Sequence, residues 1–283
     1  MVLTAGAPPA AAPAVDLFYQ RSVMMAAGSV CRLFDAPLSA ALAASKAQAR
    51  GAALRSGVDG ATLNRVEARA ATVARGEGCA SPQLAAAAAA VRSAFAGYAN
   101  LDQMSFPGEL QGWLAQRAPD DGSGRWRVSQ RARFGWDVMV FGLVGKGPDR
   151  MLMAVANFAD AARPYGARLL LRDAALTDGP YLDFRQADLS GRIPLQARLP
   201  PRSEASVFNA EAMSRAGRDI RPPDLARAWA FRFPMAAARA LGALDPREAV
   251  AVEFLFAGEP RRTAYVEVGD FDAARAFAAV AQR

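Results

Sequence analysis

Histidine is absent from all 283 residues of this chain. That single absence removes the Ser-His-Asp and Cys-His pairings of nucleophilic catalysis. It also removes ordinary His-containing zinc sites and the side chain best suited to proton transfer near neutral pH. Carboxylate, lysine or serine chemistry survives in principle, but no motif signposts it. Lysine is almost missing too, with only Lys46 and Lys146, so the net charge of +7 rests on arginine. A basic balance can mark affinity for nucleic acid, anionic lipid or a polyanionic polymer. Here the arginine bias comes with abundant alanine, which points first to GC-rich codon usage. No run approaches the ~20 apolar residues that span a bilayer.

Motifs that would bring a cofactor or metal are also missing. The segment Gly142-Leu143-Val144-Gly145-Lys146-Gly147 follows a strand pattern without opening a helix, and it lacks the spacing and the Ser/Thr of a phosphate loop. Neither a Gly-x-Ser-x-Gly elbow nor a dinucleotide fingerprint occurs. Asp120-Asp121 lacks the alternate-ligand spacing of a calcium loop. No cofactor and no metal are expected. The surviving enzyme reading is a carboxylate-dependent hydrolase or glycan-active enzyme, which requires two of Asp183, Asp188, Glu204 and Glu211 to converge in one cleft.

What is present suffices for packed cores: 52% of residues are hydrophobic and 22% charged, and the length suggests about two domains. Residues 1–15, with Ala-Pro runs, read as a flexible leader. They are similar to the small-residue end of a secretory signal but lack its basic and apolar regions. Either the chain is cytosolic with a loose start, or its true start lies upstream.

Residues 16–118 read as a helical bundle. Leu17, Met24, Ala27, Cys31 and Phe34 recur at three- and four-residue steps. Asp35 with Pro37, Asp59, and Ser81 with Pro82 mark the starts of three further helices. The break at Pro119–Gly124 is the expected boundary, and residues 125–283 read as β-rich. In Trp126–Phe134 the residues Trp126, Val128, Ala132 and Phe134 alternate with Arg127, Arg131 and Arg133, as in a half-buried strand with a basic outer face. Val138–Leu143 and Leu152–Phe158 follow as strands joined by a turn at Gly145–Pro148, then Arg168–Leu171, with short strands near Ile193 and Val207. Trp229–Phe233, Val250–Phe256 and Thr263–Val268 complete the strands, with a helix at Met235–Leu244 and a last one, Phe271–Val280, capped by Asp270. The fold class is α+β: an antiparallel helical bundle, then an antiparallel β-sandwich or partly closed barrel with a C-terminal helix.

Two candidate sites follow. An even cysteine count and a thin alanine-rich core favour a Cys31–Cys79 disulfide; the alternative is two buried free thiols. The strand face carrying Arg127, Arg131 and Arg133, flanked by Trp126 and Trp136, is the candidate binding surface. Trp126 alternates with the arginines and is expected in the core, which weighs against nucleic acid and leaves a solvated face or an anionic envelope partner.

From Trp229 onward the order is strand, short helix (Ala236–Leu244), strand (Val250–Phe256), tight turn and last strand, then the phrase Val268-Gly269-Asp270-Phe271 and an amphipathic helix with Ala274. This layout resembles the C-terminal part of the invasion-associated locus B family of bacterial periplasmic proteins. The helical half resembles uncharacterised alphaproteobacterial envelope proteins with a cysteine-linked helical start. The resemblance implies a secreted β-sandwich without known catalysis. The expectation is a non-enzymatic periplasmic or secreted protein that binds a protein or envelope component. Its alternatives are the carboxylate enzyme and a cytosolic polyanion binder.

Overall fold

Short polar side chains start three of the helices. In the computed structural model, which describes residues 11–117, 126–145, 150–186 and 192–279, Asp35 accepts from the Leu38 N–H at 2.9 Å, Asp59 from Thr62 at 2.7 Å and Ser81 from Leu84 at 3.3 Å. Each satisfies one of the amide donors that a helix start leaves without an intrahelical partner. Helices α1 (Ala11–Cys31), α2 (Ala36–Arg55), α3 (Gly60–Gly76) and α4 (Pro82–Ala99) form the first unit, which extends to Leu101.

Its core is in two parts. Phe18 packs with Ala49, Ala53 and Leu54 of α2 and Leu63 of α3. Met24 and Ala27 pack with Leu38, Leu42, Leu84, Val91 and Phe95. Met24, Ala27 and Cys31 lie on the expected face of α1, and Phe34, just past its end, packs against the same core; only at its start does the face differ, where Phe18 is fully buried and Leu17 is 39% exposed. The reason is that α1 lies against both α2 and α3, and Phe18 points between them. Cys31 and Cys79 form the disulfide, with Cα atoms 5.4 Å apart across a sequence separation of 48. It ties the end of α1 to the segment that leads into α4.

The second unit runs from Asp102. Strands β1 (Gln103–Phe106), β2 (Trp113–Gln116), β3 (Trp126–Phe134), β4 (Asp137–Val144), β5 (Met151–Asn157), β6 (Gly166–Arg172), β7 (Ala205–Asn209), β8 (Ala212–Arg215), β9 (Trp229–Phe233), β10 (Ala249–Leu255) and β11 (Arg262–Glu267) are joined by helices α5 (Met235–Ala243) and α6 (Phe271–Phe277). They build two open antiparallel sheets, ordered β1-β2-β3-β4-β5-β9-β8 and β11-β10-β6-β7. The sheets meet through aromatic rings: Phe254 of β10 lies 5.5 Å from Phe134 and 5.1 Å from Phe231, centroid to centroid. The fold is α+β, as the switch of period from helical to two implies.

Several boundaries differ from expectation. The β unit begins at Asp102, because Gln103–Phe106 and Trp113–Gln116 pair with each other and β2 pairs with β3; in sequence both are too short to display a period. Ile193 precedes a 3-10 turn (Leu195–Arg198) rather than lying in a strand, while Val207 is in β7. The short exposed β8 carries no hydrophobic alternation that would mark it as a strand. Asp270 precedes α6, but its side chain makes no capping hydrogen bond. Residues 1–10, the boundary at 119–124, Lys146–Pro148, Asp188 and Val280 lie outside the described residues. No helix among the described residues is long and apolar enough to cross a membrane.

The phrase Val268-Gly269-Asp270-Phe271 has a packing role here. The Trp113 indole donates to the Val268 carbonyl at 2.9 Å, and its ring lies 4.9 Å from that of Phe271. The turn before α6 thus seats the β1–β2 hairpin.

Candidate functional site

The three arginines expected on one basic face are not together. Trp126 pairs with Val144 and Val128 with Leu143, so Arg127 is an extra residue, a bulge in β3. Bulges of this kind re-aim the side chains on one side of the insertion. Gly142 lies opposite: a side chain there would put its Cβ 2.0 Å from the Val128 carbonyl oxygen, so the close approach of the two strands requires glycine. Arg127 is buried at 3% exposure, with Nε donating to the Gly145 carbonyl. Trp126 moves to the face of Val140, Val144 and Arg131, where Leu225 and Ala228 cover it and its indole donates to the Ile220 carbonyl at 2.8 Å. Arg131 remains exposed and pairs with Asp224. Arg133 borders a concavity. The alternation failed because one inserted residue inverts every side chain beyond it.

Of the expected carboxylates, Asp183, Glu204 and Glu211 lie among the described residues. Glu204 and Glu211 flank the two ends of β7, roughly 20 Å apart at the ordinary rise of a strand. Asp183 bonds Arg185 and Gln186 beside it, and Glu211 faces Arg232 at 3.7 Å. None of these three lines the grooves described next.

A different constellation forms on the outer face of the smaller sheet. Along β10, Val250, Val252 and Phe254 point to the core and are fully buried, as are Ala264 and Val266 of β11. The alternate residues Ala251, Glu253, Thr263 and Tyr265 therefore point outward, with Glu253 directly opposite Thr263. They floor a compartment of ≈ 170 Å³ walled by Leu199, Pro200 and Arg202. Thr263 and Tyr265 also line a larger groove of ≈ 630 Å³ that reaches Gln196, Arg133 and the tip of the β3–β4 hairpin. The two concavities share Thr263 and Tyr265 of β11 in their linings.

Glu253 is 3% exposed, yet its charge is incompletely served. Arg202 and Arg261 both bind Oε1, Arg261 through Nε at 2.9 Å. Oε2 is buried and has no hydrogen-bond partner. Leaving a buried acceptor unpaired costs about 1–3 kcal/mol, so this oxygen is an anomaly that a donor from outside would relieve. Burial first, and the Glu253 carboxylate second, push the Tyr265 phenol above its ordinary pKa, which keeps it a hydrogen-bond donor.

The far wall of the groove is the hairpin tip. Gly135 takes φ +61° there, a left-handed conformation that glycine adopts without steric cost. Trp136 stands out from the turn at 93% exposure. Its platform is firm, since Phe134 stacks on Phe254 and Asp137 accepts from the Ala159 N–H at 2.9 Å. Arg262 locks the same corner: it bonds Asp137 at 3.1 Å, Asp160 at 2.6 Å and Glu259 at 3.2 Å, and lies 4.7 Å from the Phe256 ring centre.

Hydrogen bonds from Arg262 and the Ala162 N–H hold the Asp160 carboxyl down to about 2. A carboxyl whose folded pKa is depressed contributes stability above its unfolded pKa, near 4, and loses it as pH falls through the folded value. The deficit of Asp160→Asn in melting temperature, present at pH 6, should narrow steadily between pH 4 and pH 2. A deficit independent of pH would show that the Asp160–Arg262 pair does not hold this corner.

A third concavity, ≈ 500 Å³ between Phe184, Arg192 and Arg247, is less open to a ligand chemically. Its buried Arg198 already donates to the Ile193 and Arg247 carbonyls and pairs with Glu109 at 2.9 Å. The buried Arg172–Glu248 pair is likewise engaged, bidentate at 2.8 and 3.0 Å, although burial still raises the Glu248 carboxyl above its ordinary value. No group of three acidic, cysteine or histidine ligands suited to a metal occurs among the described residues.

Sequence reading named Arg133 and Trp136 but missed Glu253, Thr263 and Tyr265. The available signal was the one carboxylate inside the apolar run Ala249-Val250-Ala251-Val252-Glu253-Phe254-Leu255. Comparison of the chain with family models, curated proteins and solved structures returned no match.

Proposed function

We propose that this chain is a non-enzymatic exported protein of the bacterial periplasm or cell envelope, which holds an envelope component in the groove along β11. The observation that carries the reading is the Cys31–Cys79 disulfide. Both cysteines of the chain are used in it, and such bonds persist in oxidising compartments and are rare in a reducing cytosol. The order β9, α5, β10, β11, α6 supports the same reading, because it follows the layout by which the C-terminal part resembles the invasion-associated locus B family. The groove supports a binding role: it joins an exposed tryptophan, arginines and a buried, half-satisfied carboxylate, the pattern of a concave site with a few placed polar groups.

Mass analysis of protein purified from a native host under non-reducing conditions, after alkylation of free thiols, tests the compartment. The expected result is an unalkylated chain that gains two adducts only after reduction. Two alkylated thiols before reduction would overturn the exported reading.

A further inference from the structure

We infer that the ligand of this groove is a neutral oligosaccharide, with one sugar hydroxyl donating to Glu253 Oε2. The inference rests on the binding role proposed above and specifies its chemistry. Glu253 lines the compartment, and its Oε2, covered by neighbouring side chains and without a partner, accepts an O–H or N–H once those side chains give way to a ligand. An ammonium group is a poor match, because Arg202 and Arg261 already balance the charge of Glu253 through its other oxygen. A neutral hydroxyl meets no such repulsion. A vicinal diol fits better still: one hydroxyl donates to Oε2 while its neighbour accepts from the adjoining guanidinium N–H groups, which have no acceptor capacity of their own. Thr263 and Tyr265 add hydroxyl groups to the same floor.

Shape agrees with this chemistry. The inner compartment, ≈ 170 Å³, is smaller than the roughly 300–1,000 Å³ of a drug-sized ligand site and suits a single ring. Thr263 and Tyr265 also line the neighbouring concavity of ≈ 630 Å³, room for further rings. At its outer wall Trp136 offers a flat apolar surface on a rigid turn, to which the C–H face of a pyranose can stack while its hydroxyls stay solvated. A peptide anchored by its side chains would call instead for an apolar pocket, whereas the floor of the inner compartment carries a carboxylate.

The test uses the fluorescence of the intact chain. Of four tryptophans, Trp113, Trp126 and Trp229 are at most 7% exposed, so iodide quenching reports Trp136. Chitotetraose, maltotetraose and mannotetraose are the glycan probes, and a mixed decapeptide pool is the peptide probe. At least one tetrasaccharide is expected to protect Trp136 from iodide. Its calorimetric affinity is expected to fall about tenfold or more in Trp136→Ala, consistent with loss of a central aromatic contact, and comparably in Glu253→Gln, which turns the acceptor into an amide. Trp136→Ala removes only an exposed side chain and keeps the test valid should Glu253→Gln fail to fold. Protection by the decapeptides and by none of the sugars overturns the glycan inference and leaves the binding role standing. If no sugar, no peptide and no envelope extract changes the quenching of Trp136, the binding role of the groove falls with it.

Discussion

Replacing Cys31 and Cys79 together by serine is expected to remove roughly 4 kcal/mol from the helical unit and to lower its melting temperature by about 20 °C. The energy follows from the 48-residue separation of the two cysteines, because a cross-link of that length withdraws much of the conformational freedom of the unfolded chain. The effect should be felt fully because the bundle has little else in reserve. Ala27, Ala41, Ala44, Ala53 and Ala70 are nearly or wholly buried, and each contributes far less apolar area than a leucine. The N-caps at Asp35, Asp59 and Ser81 hold the helix starts at about 1 kcal/mol each, but they do not hold helices against one another. Circular dichroism melts of the full chain, with and without reductant, provide the measurement. The helical transition should move and the transition of the β unit, which contains neither cysteine, should stay in place. A helical transition unmoved by reduction would show that the alanine core suffices by itself.

The second large effect is expected at Glu267. This carboxylate is 1% exposed and accepts the backbone N–H groups of Glu109, Leu110 and Gln111 at 2.7, 2.8 and 2.7 Å. The loop between β1 and β2 makes its turn around that side chain. Gly108 is required there as well, since a Cβ would come within 2.7 Å of the Glu267 carboxylate. Glu267→Ala leaves three amide donors without an acceptor and should cost the β unit about 3–5 kcal/mol. Glu267→Gln keeps one accepting oxygen and should fall between the two. The Gln130 side chain, which bonds the backbone of Glu267 at 2.8 and 3.1 Å, keeps β11 in register in both variants. In urea, the midpoint of the β unit should drop while the slope with denaturant is unchanged. A loss below about 1 kcal/mol would mean that water replaces the carboxylate and that the loop is held elsewhere.

These two features differ in how far they could be read in advance. The cysteines, the three N-caps and the period-two strands are visible because each rests on residue type or on contacts a few positions apart. Asp35 reaches the Leu38 N–H whatever the rest of the chain does. The Glu267 clamp joins residues 156 to 158 positions apart, and no local pattern announces it. The bulge at Arg127 is a relation between two strands. It moves Trp126 onto the face of Arg131 and buries Arg127, one of the three arginines that the alternation places on one outer face.

The groove shows the same division. Alternation along Val250–Phe254 fixes that Glu253 lies opposite in direction to its apolar neighbours. By itself, then, the amino-acid sequence determined the helical half, the β half, the cysteine pair and the absence of histidine chemistry, because these depend on composition, short-range hydrogen bonds and side-chain period. Tertiary structure alone decided which outward residues became neighbours. Cross-strand register set Glu253 beside Thr263 and Tyr265, sheet packing brought the Trp136 hairpin to the same groove, and burial left one carboxylate oxygen without a partner.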